Sequence, residues 1–181
     1  MALDISAIIP TRGDVDLSLI VENLRQYPEV KEITFVVGTT PFNRYLAAER
    51  AHYPVILTQD DDCVTDMRTV IDSYRPGIIV NAMTESHAKA YQGEETLIGL
   101  GSVFDRDLVS VLDGWEQDTL FLRESDRVFA TLNRHESIFP VVTPMLWATA
   151  ANRLYRQPEH GASHVAIRER IKQFREARRG Q

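Results

Sequence analysis

Three consecutive carboxylates, Asp60, Asp61 and Asp62, follow the apolar run Val55–Thr58. Adjacent carboxylates repel one another, so a cation or a basic partner has to neutralise them. Mg²⁺ and Mn²⁺ take oxygen ligands, and one or two carboxylates suffice when phosphate and water supply the rest. The cluster therefore predicts a metal and diphosphate site, with Asp62 as the metal ligand and Asp60 contributing to metal or ribose binding. An exposed acidic turn that caps a helix at Asp66 is the alternative.

The same Asp-x-Asp spacing occurs twice more, at Asp14 and Asp16 and at Asp105 and Asp107. We interpret both as loop or helix N-cap positions. The cluster at Asp60 is favoured over them because it follows an apolar strand.

His164 and Arg168 are four residues apart in a segment with helical spacing. Residues at that spacing share one helix face, so both side chains can reach one phosphate group. His164 is also a candidate third metal ligand. The alternative is a surface histidine beside a solvated basic helix.

Asp126 is predicted to lie at the start of a helix that contains Val128, Phe129 and Leu132, with Ser125 as its N-cap. The helix dipole stabilises a carboxylate there as the anion. Such a group is a candidate general base that takes a proton from a hydroxyl. A helix-starting aspartate without a catalytic role is the alternative.

Two further sets of residues are weaker candidates. Thr11 and Arg12 follow the first apolar run, where they would contact a nucleotide or simply be solvated. Trp115, Trp147 and Tyr155 would stack on a sugar or a base, or else pack in the core.

These residues are positioned by alternating short apolar runs and segments of helical spacing. Predicted strands are Ile5–Pro10, Ile33–Val37, Pro54–Thr58, Gly77–Val80 and Leu97–Phe104. Predicted helices cover 17–24, 42–51, 67–74, 104–112 and the segment from Val165. This alternation predicts an α/β fold with a mainly parallel sheet flanked by helices.

The chain has 181 residues and a formal net charge of −6, which fits one globular domain over 1–181. The single cysteine, Cys63, cannot form an intramolecular disulfide, so a cytoplasmic location is expected. No apolar run approaches the roughly 20 residues of a membrane span, and no membrane partner is expected. Residues 164–181 contain six basic and two acidic residues, a local basic segment.

In order along the chain, several segments resemble the GT-A glycosyltransferases, and the exostosin-like branch in particular. They are Ile8–Asp14 (IIPTRGD), Asn43 with Arg44, Asp60–Cys63 (DDDC), Gly99–Phe104 (GLGSVF), Glu124–Asp126, and Gly161–His164 followed by Arg168–Phe174. The resemblance implies a single GT-A domain, in a compact phage or bacterial member of the family. In this branch a His followed four residues later by Arg contacts the diphosphate. Ser125 stands where the family usually has Glu.

The resemblance also implies roles for individual residues. Nucleotide-sugar contacts fall on Pro10, Thr11, Arg12, Asp14, Asn43, Arg44, Asp60, Asp61 and His164. The acceptor side falls on Gly101, Trp115 and Glu124, and the catalytic residues on Asp126 and Arg168. Metal ligands are Asp62, Asp60 and His164, with Mn²⁺ or Mg²⁺ as the cofactor.

The expected function is therefore metal-dependent transfer of a sugar from a nucleotide-diphosphate sugar to a hydroxyl acceptor. The alternatives are a nucleotidyltransferase that makes a nucleotide sugar and a non-catalytic nucleotide-binding module. A hydroxymethylated base in DNA is one candidate acceptor, favoured by the basic C-terminal segment and opposed by the overall charge of −6. For a phage-encoded protein the location would be the host cytoplasm.

Overall fold

The computed structural model describes residues 3–89, 91, 95–145, 147 and 158–179. The strands are β1 (Ile5–Thr11), β2 (Val30–Val37), β3 (Val55–Thr58), β4 (Cys63–Thr65), β5 (Ile79–Ala82), β6 (Ser102–Asp105), β7 (His135–Ile138) and β8 (Val142–Pro144). The helices are α1 (Ser18–Arg25), α2 (Asn43–Glu49), α3 (Met67–Asp72), α4 (Glu85–Ala88), α5 (Thr119–Leu132) and α6 (His160–Arg179). A 3-10 helix covers Arg106–Leu112.

Six strands form the central sheet in the order β2-β1-β3-β6-β5-β7. Strand β6 runs antiparallel to both of its neighbours, and the other pairings in this sheet are parallel. Strands β4 and β8 pair antiparallel in a separate ribbon. The predicted α/β fold with a mainly parallel, helix-flanked sheet is confirmed.

Hydrophobic side chains cover both faces of the sheet. Along β1, Ile5, Ala7 and Ile9 belong to one buried cluster and Ile8 to the other. This alternation follows from the two-residue period of a strand. Helices α1 and α3 pack on the first face, and α2, α5 and α6 pack on the second. A strand buried on both faces reads as a continuous apolar run, which is why β1 was recognisable in the sequence.

Phe129 of α5 lies at the centre of the aromatic packing on the second face. Its ring centroid is 4.7 Å from that of Tyr45 and 4.9 Å from that of Phe104. This contact fixes α5 against α2 and β6. Among the described residues, no helix has the length and hydropathy that crossing a membrane requires.

Two of the predicted elements are wrong around β6. The expected strand Leu97–Phe104 begins only at Ser102, because the residues before it form a turn. The expected helix over 104–112 is a 3-10 helix that starts after Asp105. Gly101 adopts φ +133°, a conformation that L side chains rarely adopt.

Two helices begin earlier than predicted. Helix α5 begins at Thr119 because the Asp118 side chain accepts a hydrogen bond from the Phe121 amide. Asp118 is therefore the N-cap of the first turn, and helical geometry breaks at Glu124, so that Ser125 and Asp126 begin the second stretch of α5 as predicted. Helix α6 begins at His160, ahead of the predicted Val165.

Replacing Phe129 by alanine is expected to lower the free energy of unfolding by about 3–5 kcal/mol, because it opens a cavity in a fully buried aromatic cluster. Chemical denaturation measures the change. Phe139→Ala is the matched control, since the Phe139 side chain is exposed, and it should change stability by about 0.5 kcal/mol or less. Equal losses for the two variants would contradict this assignment of the core.

Candidate functional site

A cleft with a volume of about 450 Å³ lies at the carboxyl ends of β1, β2 and β3. Parallel strands end at one edge of a sheet, so the residues that follow them meet there. Helices α5 and α6 add further charged residues to the wall. The cleft contains ten of the predicted site residues: Pro10, Thr11, Arg12, Arg44, Asp60, Asp61, Asp62, Glu124, Asp126 and His164.

Arg44, on α2, joins two sides of the cleft. Its side chain is only 3% exposed, and Nη2 lies 2.6 Å from Oδ1 of Asp60 and 3.2 Å from Oδ2 of Asp126. Burial opposes the positive charge, but the carboxylates of Asp126 and Asp60 outweigh it and raise the pKa of Arg44. The guanidinium is therefore a permanent cation between the strand ends and α5.

Asp126 is positioned by two donors from α2. The Tyr45 hydroxyl donates a 2.7 Å hydrogen bond to Oδ1 of Asp126, and Arg44 contacts Oδ2. Burial raises the pKa of Asp126, Asp60 adds to the rise, and Arg44 and Tyr45 oppose it. About a quarter of the side chain remains exposed in the cleft. A fixed, accessible carboxylate with a raised pKa suits proton transfer.

The three aspartates after β3 have different surroundings. Asp61 is buried, and its Oδ2 accepts a 2.8 Å hydrogen bond from Oγ1 of Thr11. Asp60 lies against Gly99, where a Cβ atom would be 2.1 Å from its Oδ2. Asp62 lines the cleft and is partly exposed. Glycine at position 99 is thus required for Asp60 to reach Arg44.

Glu124 and Asp126 both line the cleft although they are two residues apart on α5. On a regular helix, positions two apart point to different sides. Glu124 departs from helical geometry, with φ −109° and ψ 17°. This departure from helical geometry brings both carboxylates to the same cleft.

Glu95 ties the segment before β6 to α5 and α6. It accepts hydrogen bonds from Arg127 and from Arg168, whose Nη2 is 2.7 Å from Oε2. Burial alone would raise the pKa of Glu95, but the two arginines lower it to about 2. Arg168, predicted to contact a diphosphate, is engaged here, half exposed, and does not line the cleft.

Four other predicted residues also lie outside the cleft lining. Asp14 pairs with Arg12 at 2.8 Å. Asn43 fills the space beside Gly38, where a Cβ atom would be 1.7 Å from its Nδ2. Gly101 lies next to Met67, and Trp115 stacks on Phe121 with a centroid distance of 5.7 Å.

The other two aromatic candidates are Trp147 and Tyr155. Nε1 of Trp147 donates a 2.7 Å hydrogen bond to the carbonyl oxygen of Asp61, so this side chain supports the acidic turn. Tyr155 lies outside the described residues.

Sequence reasoning missed several residues that line the cleft or contact its lining. His160, four residues before His164, was recognisable from its spacing, as was Arg127, three residues after Glu124. Tyr45 and Glu95 carried no local signal, because each acts through a partner that is distant in sequence.

No known protein family matches the chain, and no curated protein matches its sequence. Among solved structures, A197 from STIV is similar, with 13% identity and a TM-score of 0.52 over 79% of this chain and 86% of that chain. A putative glucose-1-phosphate thymidylyltransferase from Bacillus anthracis has 12% identity and a TM-score of 0.42, over 83% and 76%. S. aureus TarS 1-349 in complex with UDP-GlcNAc has 17% identity and a TM-score of 0.40, over 75% and 56%. The likeness to A197 is one of fold.

Glu95→Gln is expected to lower the free energy of unfolding at pH 7 by on the order of 3 kcal/mol, since the carboxylate pKa falls from 4.5 to about 2 on folding. A lowered pKa stabilises the fold above pH 4.5, and the contribution disappears as the pH falls towards 2. Urea denaturation across this range measures the difference between the variant and the wild type.

Glu22→Gln is the control, because Glu22 is exposed on α1 and is not a member of the ion pairs of Glu95. It should show no such pH-dependent loss. A Glu95→Gln deficit that stays constant with pH would indicate lost packing in place of lost charge pairing.

Proposed function

We propose that this chain transfers a sugar from a nucleotide-diphosphate sugar to a hydroxyl acceptor. The observation that carries the proposal is the cleft in which Arg44 connects Asp60, after β3, to Asp126 of α5. Acidic groups for a metal and a candidate base are thereby held in one cavity, which glycosyl transfer needs. The exostosin-like relationship rests on the sequence motifs.

The donor would lie along the strand ends. Pro10, Thr11 and Arg12 line the cleft at the carboxyl end of β1 and are assigned to the nucleotide. His164 lines it from α6 and is assigned to the diphosphate. A cavity of about 450 Å³ is within the usual size range of ligand pockets.

Asp62 and Asp60 would hold Mn²⁺ or Mg²⁺ together with the diphosphate. The three aspartates do not surround the ion on all sides, because Asp60 accepts a hydrogen bond from Arg44 and Asp61 accepts one from Thr11. Mg²⁺ commonly binds through one or two carboxylates and takes its other ligands from phosphate and water, so these residues fit such an ion. Bound there, the ion would neutralise charge on the departing diphosphate.

Asp126 is assigned as the general base of an inverting transfer. The bond from the anomeric carbon to the diphosphate oxygen breaks with its electron pair on oxygen. The acceptor oxygen forms the new bond to carbon, and its proton passes to Asp126. Arg44 and Tyr45 hold the carboxylate in place during this step. In a retaining enzyme the same carboxylate would instead stabilise positive charge on the sugar.

The replacement of the family's Glu by Ser125 does not weaken this assignment. Ser125 is fully buried, and its hydroxyl donates to the carbonyl oxygen of Leu122. It is not among the residues that line the cleft. The carboxylates that face the cavity from α5 are Glu124 and Asp126.

The acceptor is assigned only by class, as a hydroxyl compound. The case for hydroxymethylated DNA rested on the basic C-terminal segment, but Arg168 and Arg170 of α6 are paired with Glu95 and Asp118. These pairs reduce the field available to a polyanion. Modified DNA therefore stays a hypothesis for the acceptor.

Asp62→Asn is expected to weaken Mn²⁺-dependent nucleotide binding at least about tenfold, because it removes a metal-ligand charge. Calorimetric titration with Mn²⁺ and a panel of nucleoside diphosphates and sugar nucleotides is the measurement. Asp107→Asn is the matched control, since Asp107 has the same Asp-x-Asp spacing but is exposed outside the cleft. Absence of nucleotide binding in the wild type would refute the proposal.

Once a donor is found, Asp126→Asn should lower kcat by about 10²–10⁴-fold and leave donor binding within a fewfold of wild type. Release of the nucleoside diphosphate measures turnover. Release of pyrophosphate from a nucleoside triphosphate and a sugar phosphate would instead favour the nucleotidyltransferase alternative. Donor binding without any turnover would favour the non-catalytic module.

The pH profile provides a separate test of Asp126. Transfer requires the ionised base, so kcat should fall as the pH drops through the Asp126 pKa, which burial raises. Tyr45→Phe removes a hydrogen bond that lowers this pKa, and should therefore move the acid limb to higher pH. An unchanged acid limb in Tyr45→Phe would argue against Asp126 as the titrating base.

A further inference from the structure

Two histidines and a glutamate from α5 and α6 converge in the cleft without any contribution from Asp60, Asp61 or Asp62. One potential ligand atom from each of Glu124, His160 and His164 lies within 4.8 Å of the other two. Nε2 of His164 is 3.4 Å from Oε2 of Glu124, and the two imidazole centroids are 4.0 Å apart. In the described part of the chain, this is the one group of three metal-ligating residue types that converges so closely.

We propose that Glu124, His160 and His164 form a binding site for a divalent transition-metal ion, Zn²⁺ above all. Two imidazoles and one carboxylate, with water in the fourth position, are a common set of zinc ligands. Nitrogen ligands favour Zn²⁺ and Co²⁺ over Mg²⁺, which prefers oxygen. The site needs no nucleotide, so it does not rest on the proposed function.

The backbone brings the three ligands to one place. The four-residue spacing of His160 and His164 puts both rings on one face of α6. The kink in α5 at Glu124, with φ −109° and ψ 17°, directs that carboxylate into the same cleft. Among the described residues, Nδ1 of His160 is buried and has no hydrogen-bond partner. A bound metal ion would give this nitrogen a partner for its electron pair.

Metal ligation requires neutral imidazoles, and burial favours the neutral form of both rings. Burial lowers the pKa of His164 to about 4, with Arg127 adding to the effect. Burial also lowers the pKa of His160, and the charges of Arg123 and Arg127 act in the same direction.

One contact has to change when a metal binds. Nη2 of Arg127 lies 3.0 Å from Nδ1 of His164, so the imidazole proton is then on Nε2, facing Glu124. Ligation through Nε2 moves this proton to Nδ1. Arg127 then gives up the contact with His164 and keeps its ion pair with Glu95.

The lining of the cleft has a small excess of negative charge. Guanidinium nitrogens of Arg123 and Arg127 lie 3.7 Å from the oxygens of Glu124, and these positive charges oppose a metal ion nearby. Carboxylates nevertheless outnumber guanidinium groups in the cleft lining. The five carboxylates are Asp60, Asp61, Asp62, Glu124 and Asp126, and the four guanidinium groups are Arg12, Arg44, Arg123 and Arg127.

The test is titration of the full, chelator-treated chain with Co²⁺, followed by visible absorption, with Zn²⁺ then added as a competitor. We expect one Co²⁺ per chain, displaced by Zn²⁺ and not by excess Mg²⁺. His160→Gln should bind Co²⁺ at least about 100-fold more weakly, since even the loss of groups that only support a ligand costs 10–100-fold. His52→Gln is the control, because His52 is exposed and lies outside the cleft.

Thermal unfolding gives a second readout. Zn²⁺ should raise the Tm of the wild type and of His52→Gln, but not that of His160→Gln. A metal-free Tm of His160→Gln close to that of the wild type would show that the variant is folded.

Two results would overturn the proposal: Co²⁺ binding by His160→Gln that matches the wild type, or loss of Co²⁺ binding in Asp62→Asn. The latter would place the ion at the acidic turn. The two proposals fail in different experiments. Mn²⁺-dependent nucleotide binding tests the proposed function; it depends on Asp62 and should persist in His160→Gln. Co²⁺ binding tests the site formed by Glu124, His160 and His164.

Discussion

The buried guanidinium of Arg44 is the interaction on which the organisation of the cleft depends. It is a cation at 3% exposure, and it persists because Asp60 and Asp126 are both within 3.2 Å of it. Removing one partner of such a group leaves a buried charge uncompensated, which is costly. The contact therefore joins the turn after β3 to α5 through one shared cation.

The topology of the sheet explains why polar groups gather at one edge. Strands β1, β2 and β3 are parallel neighbours, so the residues after each of them emerge together. The hydrophobic residues of β1 are buried on both faces, which leaves the strand ends as the place where polar groups meet solvent. Gly99, in the turn before β6, leaves the space that the Asp60 carboxylate occupies. The stable core and the polar cleft are thus consequences of the same strand arrangement.

Helix α5 contributes to two different chemical environments. Its kink at Glu124 places one carboxylate among Arg123, Arg127 and His164, while Asp126 contacts Arg44 and Tyr45. The first environment also contains the imidazoles of His160 and His164, and the second holds a fixed carboxylate near the acidic turn. Under the two proposals, the acidic turn would hold a hard cation through oxygen ligands, and the two imidazoles with Glu124 would hold a softer one. Glu95 pairs with Arg127 of α5 and with Arg168 of α6, and these ion pairs hold the two helices together.

The sequence by itself determined the α/β class and the edge of the sheet at which the cleft lies. Apolar periodicity depends on which faces are buried, and residues that follow parallel strands must share an edge. Local patterns could not determine the start of α5, because Asp118 and Ser125 are both acceptable caps and only the observed bond to Phe121 distinguishes them. They also could not show that Arg168 pairs with Glu95, or that Tyr45 supports Asp126, since those partners are 73 and 81 residues apart. Such long-range pairs form only when packing brings the elements together, so the tertiary structure alone decided which of the predicted charged groups face the cleft and which pair elsewhere.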